Sequence, residues 1–180
     1  KILKNIVSEI KTLVRNKKEV LIVSSGALAL GKKQLKTKKV IKISEKQAAA
    51  AVGQVLLVNA WREAFYKCKI NCAQILLTHL DAEIRSSSLN ARNTIESLIK
   101  FKTIPIINEN DTVATKELRY GDNDQLAARV AQITSSDLLI LLSDVDGLFS
   151  SNPSKNKNAK LLKRVFKITK SIEKSSEDTT

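Results

Sequence analysis

Two groups of carboxylates and amides are the first residues in the sequence whose types and spacing suit chemistry: Asn108-Glu109-Asn110-Asp111, and Asp122-Asn123-Asp124 entered from Gly121. Side chains of this kind gathered at a sheet edge either hold a divalent cation or receive an ammonium group and orient lysines used in catalysis. Helix capping accounts for Asp122 or Asn123, but not for both together with Asp124, and not for the preceding cluster. Ser24-Ser25-Gly26-Ala27 follows an apolar run and opens a helical pattern, so backbone N–H groups and the Ser25 hydroxyl can face an anion there. Ser and Gly also serve tight turns with no ligand, and this loop alone leaves both readings open. Ser143-Asp144-Val145-Asp146-Gly147 leaves the most apolar run of the chain, either as a nucleotide loop acting through its backbone or as a plain Asp-Gly turn. Neither GxxxxGK[ST] nor GxGxxG occurs, which excludes a Walker-type phosphate loop and the usual dinucleotide fingerprint. His79, the single histidine, has no nucleophile motif around it and reads as structural. Cys68 and Cys72 are four apart, neither a redox CxxC nor half of a zinc quartet, and no protein-held metal is expected.

These loops need a scaffold, and the apolar pattern supplies an alternating one. Ile2, Leu3, Ile6, Val7, Ile10, Leu13 and Val14 recur at helical spacing, and the 20–23 run suits a strand buried on both faces. A second helix follows Ala27, then a lysine-rich connection over 32–42. Ser44 and Gln47 form an S-x-x-Q capping signal ahead of a long helix reaching Phe65. Further on, 70–77 reads as a strand, Ser86 or Ser87 to Ile99 as a helix, 104–107 as a strand, 122–133 as a helix and 137–142 as the most apolar strand. Asp146-Gly147 and Asn152-Pro153 bracket a hairpin or excursion, and 170–180 is a polar, frayed end. The expected fold class is α/β, a three-layer αβα sandwich with a mainly parallel sheet, in one domain over 1–180. In such sheets ligands collect at the carboxyl ends of the strands, where the loops above begin.

Composition narrows the function classes. The 180 residues carry 31 Lys and Arg against 18 Asp and Glu, a net charge of +13 that suits phosphorylated or other anionic partners. Aromatics are only 4%, without the aromatic-interleaved basic strand that stacks on bases, so a solvated lysine surface is favoured over nucleic acid. No apolar run approaches the roughly 20 residues of a membrane span, and no signal-peptide core is present, so no membrane partner and a cytoplasmic location are expected.

In chain order, Val23-Ser24-Ser25-Gly26-Ala27, Lys46-Gln47-Ala48-Ala49-Ala50-Ala51-Val52-Gly53-Gln54, Gln74-Ile75-Leu76-Leu77-Thr78, Leu89-Asn90-Ala91-Arg92-Asn93-Thr94, Pro105-Ile106-Ile107-Asn108-Glu109-Asn110-Asp111, Gly121-Asp122-Asn123-Asp124 and Ser143-Asp144-Val145-Asp146-Gly147-Leu148 together resemble the glutamate 5-kinases of the amino acid kinase family. The resemblance runs from about Glu19 to Val165. It implies transfer of the γ-phosphoryl of ATP, with Mg²⁺, to the side-chain carboxylate of L-glutamate, giving glutamyl 5-phosphate, the first step of proline biosynthesis. By the same resemblance, Ser25, Gly26 and Ala27 contact glutamate and the transferred phosphate, and Asp111 and Asn123 bind glutamate. Asp124 orients the catalytic lysines, and Ser143 and Asp144 begin the nucleotide segment, with Ser where relatives commonly have Thr. Implied partners are a homo-oligomer and glutamyl phosphate reductase.

Relatives of this kind begin with a strand carrying K-x-G-x and continue into G-T-G-G-M-x-T-K. Neither is found here, so an incomplete domain with an incomplete ATP site, and little turnover by this stretch alone, is expected. A noncatalytic glutamate-binding remnant and a basic nucleic-acid-binding module are the alternatives.

Overall fold

The computed structural model describes residues 2–37, 42–114, 122–143, 145–170 and 172–173. Helix α1 (Ile2–Arg15) buries Val7 and Ile10, two members of its apolar stripe, and ends where Lys17 turns left-handed at φ 59°. Strand β1 (Ile22–Val23) leads through Ser24-Ser25-Gly26 into α2 (Ala27–Gln34). The long α3 (Ile43–Tyr66) is followed by β2 (Asn71–Leu77), the short α4 (His79–Glu83), α5 (Arg85–Lys100), β3 (Thr103–Glu109) and α6 (Asp122–Ile133).

The three strands are parallel in the order β1-β3-β2, with Val23 beside Ile107 and Leu77 beside Glu109. Because side chains alternate along a strand, β3 feeds two cores. Ile104 and Ile106 pack with Val7, Ile10, Trp61 and Phe65 of α1 and α3, whereas Ile107 packs with Ala91, Ile95, Leu126 and Val130 of α5 and α6. Helices thus cover both faces, and the expected three-layer αβα arrangement with a parallel sheet is the one found. Contact density divides the chain into Lys1–Leu139, which holds all of these elements, and Ile140–Thr180. In the second unit Phe149 bridges Leu161 in antiparallel fashion, an excursion of the kind expected from the Asp146-Gly147 and Asn152-Pro153 turns.

The alanine-rich start of α3 has a packing cause. A Cβ placed on Gly31 would overlap the Ala49 carbonyl oxygen, and one on Gly53 the Ala27 carbonyl oxygen. Ala27 and Gly31 on α2, with Ala49 and Gly53 on α3, let the two backbones touch. Gly26 initiates α2 at φ 104°, a conformation suited to glycine alone.

Three sequence expectations require correction. The 137–142 run forms no strand: it has no strand partner among the described residues, and Leu138 and Leu142 are 74% and 76% exposed. An apolar run becomes a buried strand only where a neighbouring strand takes its backbone groups, which periodicity cannot reveal. The cap of α3 lies two residues earlier than Ser44, where Glu45 accepts the Lys42 backbone N–H at 3.1 Å, and Gln47 instead donates to the Ala114 carbonyl at 3.2 Å. The first strand is paired only over Ile22–Val23. Most of 170–180 lies outside the described residues.

Candidate functional site

The carboxyl ends of β1 and β3 lie side by side, and the polar residues that leave them are tied together by a small number of bonds. Ser24 is buried, its N–H donating to the Ile107 carbonyl at 2.8 Å and its hydroxyl accepting the Trp61 indole N–H at 3.0 Å. Fixing Ser24 leaves the next residue, Ser25, exposed at the sheet edge. Gly26 supplies no side-chain cap to α2, and the first helical bond runs from Leu30 N–H to the Gly26 carbonyl at 3.0 Å. The N–H groups of the opening turn, Ala27 included, therefore have no partner within the helix and carry the positive end of its dipole.

Asn123, in the first turn of α6, closes the other side. Its Nδ2 donates to the Ser24 carbonyl at 3.0 Å and to Asn108 Oδ1 at 2.9 Å. Asn108 Oδ1 also receives the Glu109 backbone N–H at 2.9 Å, which fixes Asn108 as the acceptor. With both hydrogens of Asn123 used, its Oδ1 is left buried and without a partner among the described residues. A buried acceptor of this kind is costly unless a ligand or an ordered water satisfies it.

Beyond β3 the loop is held from α3 and β2. Asn110 N–H donates to the Leu77 carbonyl at 3.0 Å, and Gln54 Nε2 donates to the Glu109 carbonyl at 3.1 Å and to Asp111 Oδ2 at 3.4 Å. Asp124 is exposed on the first turn of α6. Of the residues singled out in the sequence, Ser25, Gly26, Ala27, Asp111, Asn123 and Asp124 all sit on loops or helix starts that leave β1 and β3. Ser143, whose hydroxyl accepts the Val145 N–H at 3.3 Å, belongs to the other unit, and Asp144 lies outside the described residues.

Sequence reasoning missed Trp61 and Gln54. Both lie on the same face of α3, seven residues apart, and the signal was available in a buried-helix pattern that carried two polar-capable side chains. No group of three or more His, Cys, Asp or Glu suited to a metal occurs among the described residues, and the Asn108–Asp111 segment spends Asn108 and Glu109 on burial. Cys68 and Cys72 are free, and burial pushes the Cys72 thiol up, with Arg62 opposing. Arg92 donates to Glu96 at 2.7 Å on the exposed face of α5 and holds its carboxyl below the ordinary value. No helix among the described residues is long and apolar enough to cross a membrane.

Comparison with known proteins agrees with this architecture. The chain is 54% identical over 167 residues to the glutamate 5-kinase of Pelagibacter ubique, covering 92% of this chain and 45% of that protein. It is 47% identical over 176 residues to that of Paramagnetospirillum magneticum, covering 98% and 48%. With the glutamate 5-kinase of Caulobacter vibrioides, identity is 56% over 156 residues, 86% of this chain and 41% of the relative. The chain thus spans about half the length of the curated relatives it matches. Among solved structures, the UMP kinase of Bacillus anthracis shares the fold at a TM-score of 0.52 with 18% identity, over 88% of this chain and 62% of that one. The amino acid kinase family model matches residues 1–180, and the chain belongs to that family.

Proposed function

We propose that this chain carries the glutamate-binding part of a glutamate 5-kinase, which phosphorylates the side-chain carboxylate of L-glutamate with ATP in the first step of proline biosynthesis. The observation that carries this reading is Asn123 Oδ1, a buried acceptor fixed by two donated bonds and without a hydrogen-bond donor among the described residues. A ligand ammonium group supplies that donor, and the Asp111 carboxylate offers the matching charge. The names of relatives at 47–56% identity support glutamate as that ligand.

In this reading the substrate's side-chain carboxylate, ionised at neutral pH, attacks the γ-phosphorus of ATP. A new carboxyl O–P bond forms as the bond from the γ-phosphorus to the β,γ-bridging oxygen breaks, and ADP departs with that electron pair. No general base is needed. Catalysis rests on bringing two anions together and stabilising charge on the moving phosphoryl group. The uncapped N–H groups after Gly26 and the exposed Ser25 hydroxyl serve that purpose. Asp124 orients lysines, and Ser143 with Asp144 begins the nucleotide segment. Mg²⁺ arrives with ATP as part of the substrate. A single amino acid kinase domain, a cytoplasmic location, a homo-oligomer and a glutamyl phosphate reductase that consumes the labile product complete the reading.

The test is hydroxamate trapping of glutamyl phosphate by the full-length protein that contains this chain, with ATP, Mg²⁺ and glutamate. Asp111→Asn and Asn123→Ala are expected to raise the KM for glutamate far more than that for ATP. Glutamate binding without turnover would mark a noncatalytic remnant, and absence of glutamate-dependent product would remove the proposal.

A further inference from the structure

Gln54 is 9% exposed in the middle of α3, where an amide is costly unless its atoms find partners. Its Nε2 reaches the Glu109 carbonyl and Asp111 Oδ2, and its Oε1 accepts from Gln74 Nε2 at 3.1 Å. The Glu109 carbonyl, which can only accept, sets the Gln54 NH₂ toward the loop after β3, and the Gln74 NH₂ then occupies the oxygen on the other side. Turned over, the amide would set its oxygen against the Asp111 carboxylate and its NH₂ against another NH₂. A helix, an edge strand and the loop of the candidate site are therefore joined by one directional chain of side chains.

We propose that Gln54, its amide held between the Glu109 carbonyl and Gln74, is a positioning residue that aims the Asp111 carboxylate at the ammonium group of the substrate. The inference rests on Asp111 serving as the ammonium acceptor in the reading above. Gln54 touches Asp111 and the loop backbone, so its effect falls on how the amino acid is held, leaving phosphoryl transfer itself unchanged. Gln74, one strand further out, acts only by supporting the Gln54 amide through its oxygen.

The experiment measures steady-state constants of the full-length protein carrying Gln54→Met, Gln74→Met or Gln74→Glu. Gln54→Met keeps length and removes the donor. Gln74→Glu places an acceptor where a donor stood, repels the Gln54 oxygen and competes with the loop for the Gln54 NH₂, loosening its hold on Asp111. Each of Gln54→Met and Gln74→Glu is expected to raise the KM for glutamate by about ten-fold, the loss of one hydrogen bond to a charged group, with kcat and the KM for ATP within about two-fold. Gln74→Met, which removes the supporting bond without adding a competing acceptor, is expected to fall between these and the unsubstituted protein. An unchanged KM for glutamate in Gln54→Met and Gln74→Glu overturns the inference, as does an equal rise for both substrates or a fall in kcat alone. Gln74 is on the exposed side of an edge strand, so its variants carry the test if Gln54→Met fails to fold. Absence of glutamate-dependent turnover in the unsubstituted protein overturns the proposed reaction along with the inference, and so separates the two failures.

Discussion

The indole N–H of Trp61 donates to the hydroxyl of Ser24 at 3.0 Å, joining the core of α3 to the turn that presents Ser25. Trp61 also stacks on Phe65 with ring centroids 5.8 Å apart, so its position is set by the core and passed to the turn. Trp61→Phe retains the stack and leaves the buried Ser24 hydroxyl without this donor. A loss of about 1–3 kcal/mol in urea-unfolding stability is expected, and Ser24→Ala should cost a similar amount through the stranded indole N–H.

Gly53→Ala and Gly31→Ala are expected to be disproportionately damaging for a single added methyl. Each methyl would overlap a backbone carbonyl of the facing helix, which cannot swing aside as a side chain can. Separating α2 from α3 should cost about 3 kcal/mol and shift the turn at Ser25 and Gly26. Thermal unfolding measures the first effect, and the KM for glutamate in the full-length protein the second.

Asn123→Asp, nearly isosteric, converts a double donor into an acceptor facing the Ser24 carbonyl and Asn108 Oδ1. Expected outcomes are a stability loss of about 2 kcal/mol or more at neutral pH and a rise of at least about ten-fold in the KM for glutamate. Retained stability and KM would show that the two bonds do not hold the site together.

These effects bear on what a sequence can disclose. Helices and strands with a clean period were legible because each buries one stripe or both faces: Val7 and Ile10 on α1, Ile104 to Ile107 on β3. The polar residues of the site were legible by type and by their position after strands. What was not legible is which polar atom meets which. Ser24 and Ser25 are adjacent and chemically identical, yet one is a buried anchor and the other an exposed site residue, a distinction set by Trp61 37 positions away. Gln54 looked like the end of an alanine-rich helix motif until its partners on β2 and β3 were in place. The 137–142 run misled because apolarity measures a preference for burial and says nothing of whether a pairing edge is present.

Among the described residues, five other than glycine turn left-handed, at Lys17, Lys36, Lys69, Lys102 and Ser135, each just after a helix. With only five glycines in the chain, lysine fills four of these positions. A left-handed turn costs an L-residue about 1–2 kcal/mol, offset by roughly 0.3–1 kcal/mol from a cation at a helix carboxyl end. Lys102→Gly is therefore expected to stabilise the protein by about 0.5–1 kcal/mol, measured by urea unfolding at low and high salt, with the larger gain at high salt, where the cation's contribution is screened.

Cys72 should resist alkylation. Burial raises its pKa despite Arg62, so at pH 8 less thiolate is present than for a free cysteine. The iodoacetamide rate at Cys72, followed by mass spectrometry, is expected to stay low at pH 8 and to climb only above the ordinary thiol range. Because the fold favours the protonated thiol, the associated stability is complete below the unfolded value of about 8.5 and is lost as pH rises through the folded one.

Among the strands of the described residues, the order β1-β3-β2 places the last-made one in the middle. During synthesis, β1 and β2 both emerge before the strand that joins them, β3, whose last residue is Glu109. From Val23 to Glu109 the ribosome adds roughly 86 residues, about 4–17 s at ordinary translation rates of about 5–20 residues/s. The α2–α3 pair, joined by local contacts, can form in that interval, whereas the sheet cannot. The nascent chain therefore carries Ile22, Val23 and the apolar residues of β2 without their β3 partner for seconds, which makes the arrival of β3 the event that joins them and shortens their exposure to aggregation and proteolysis.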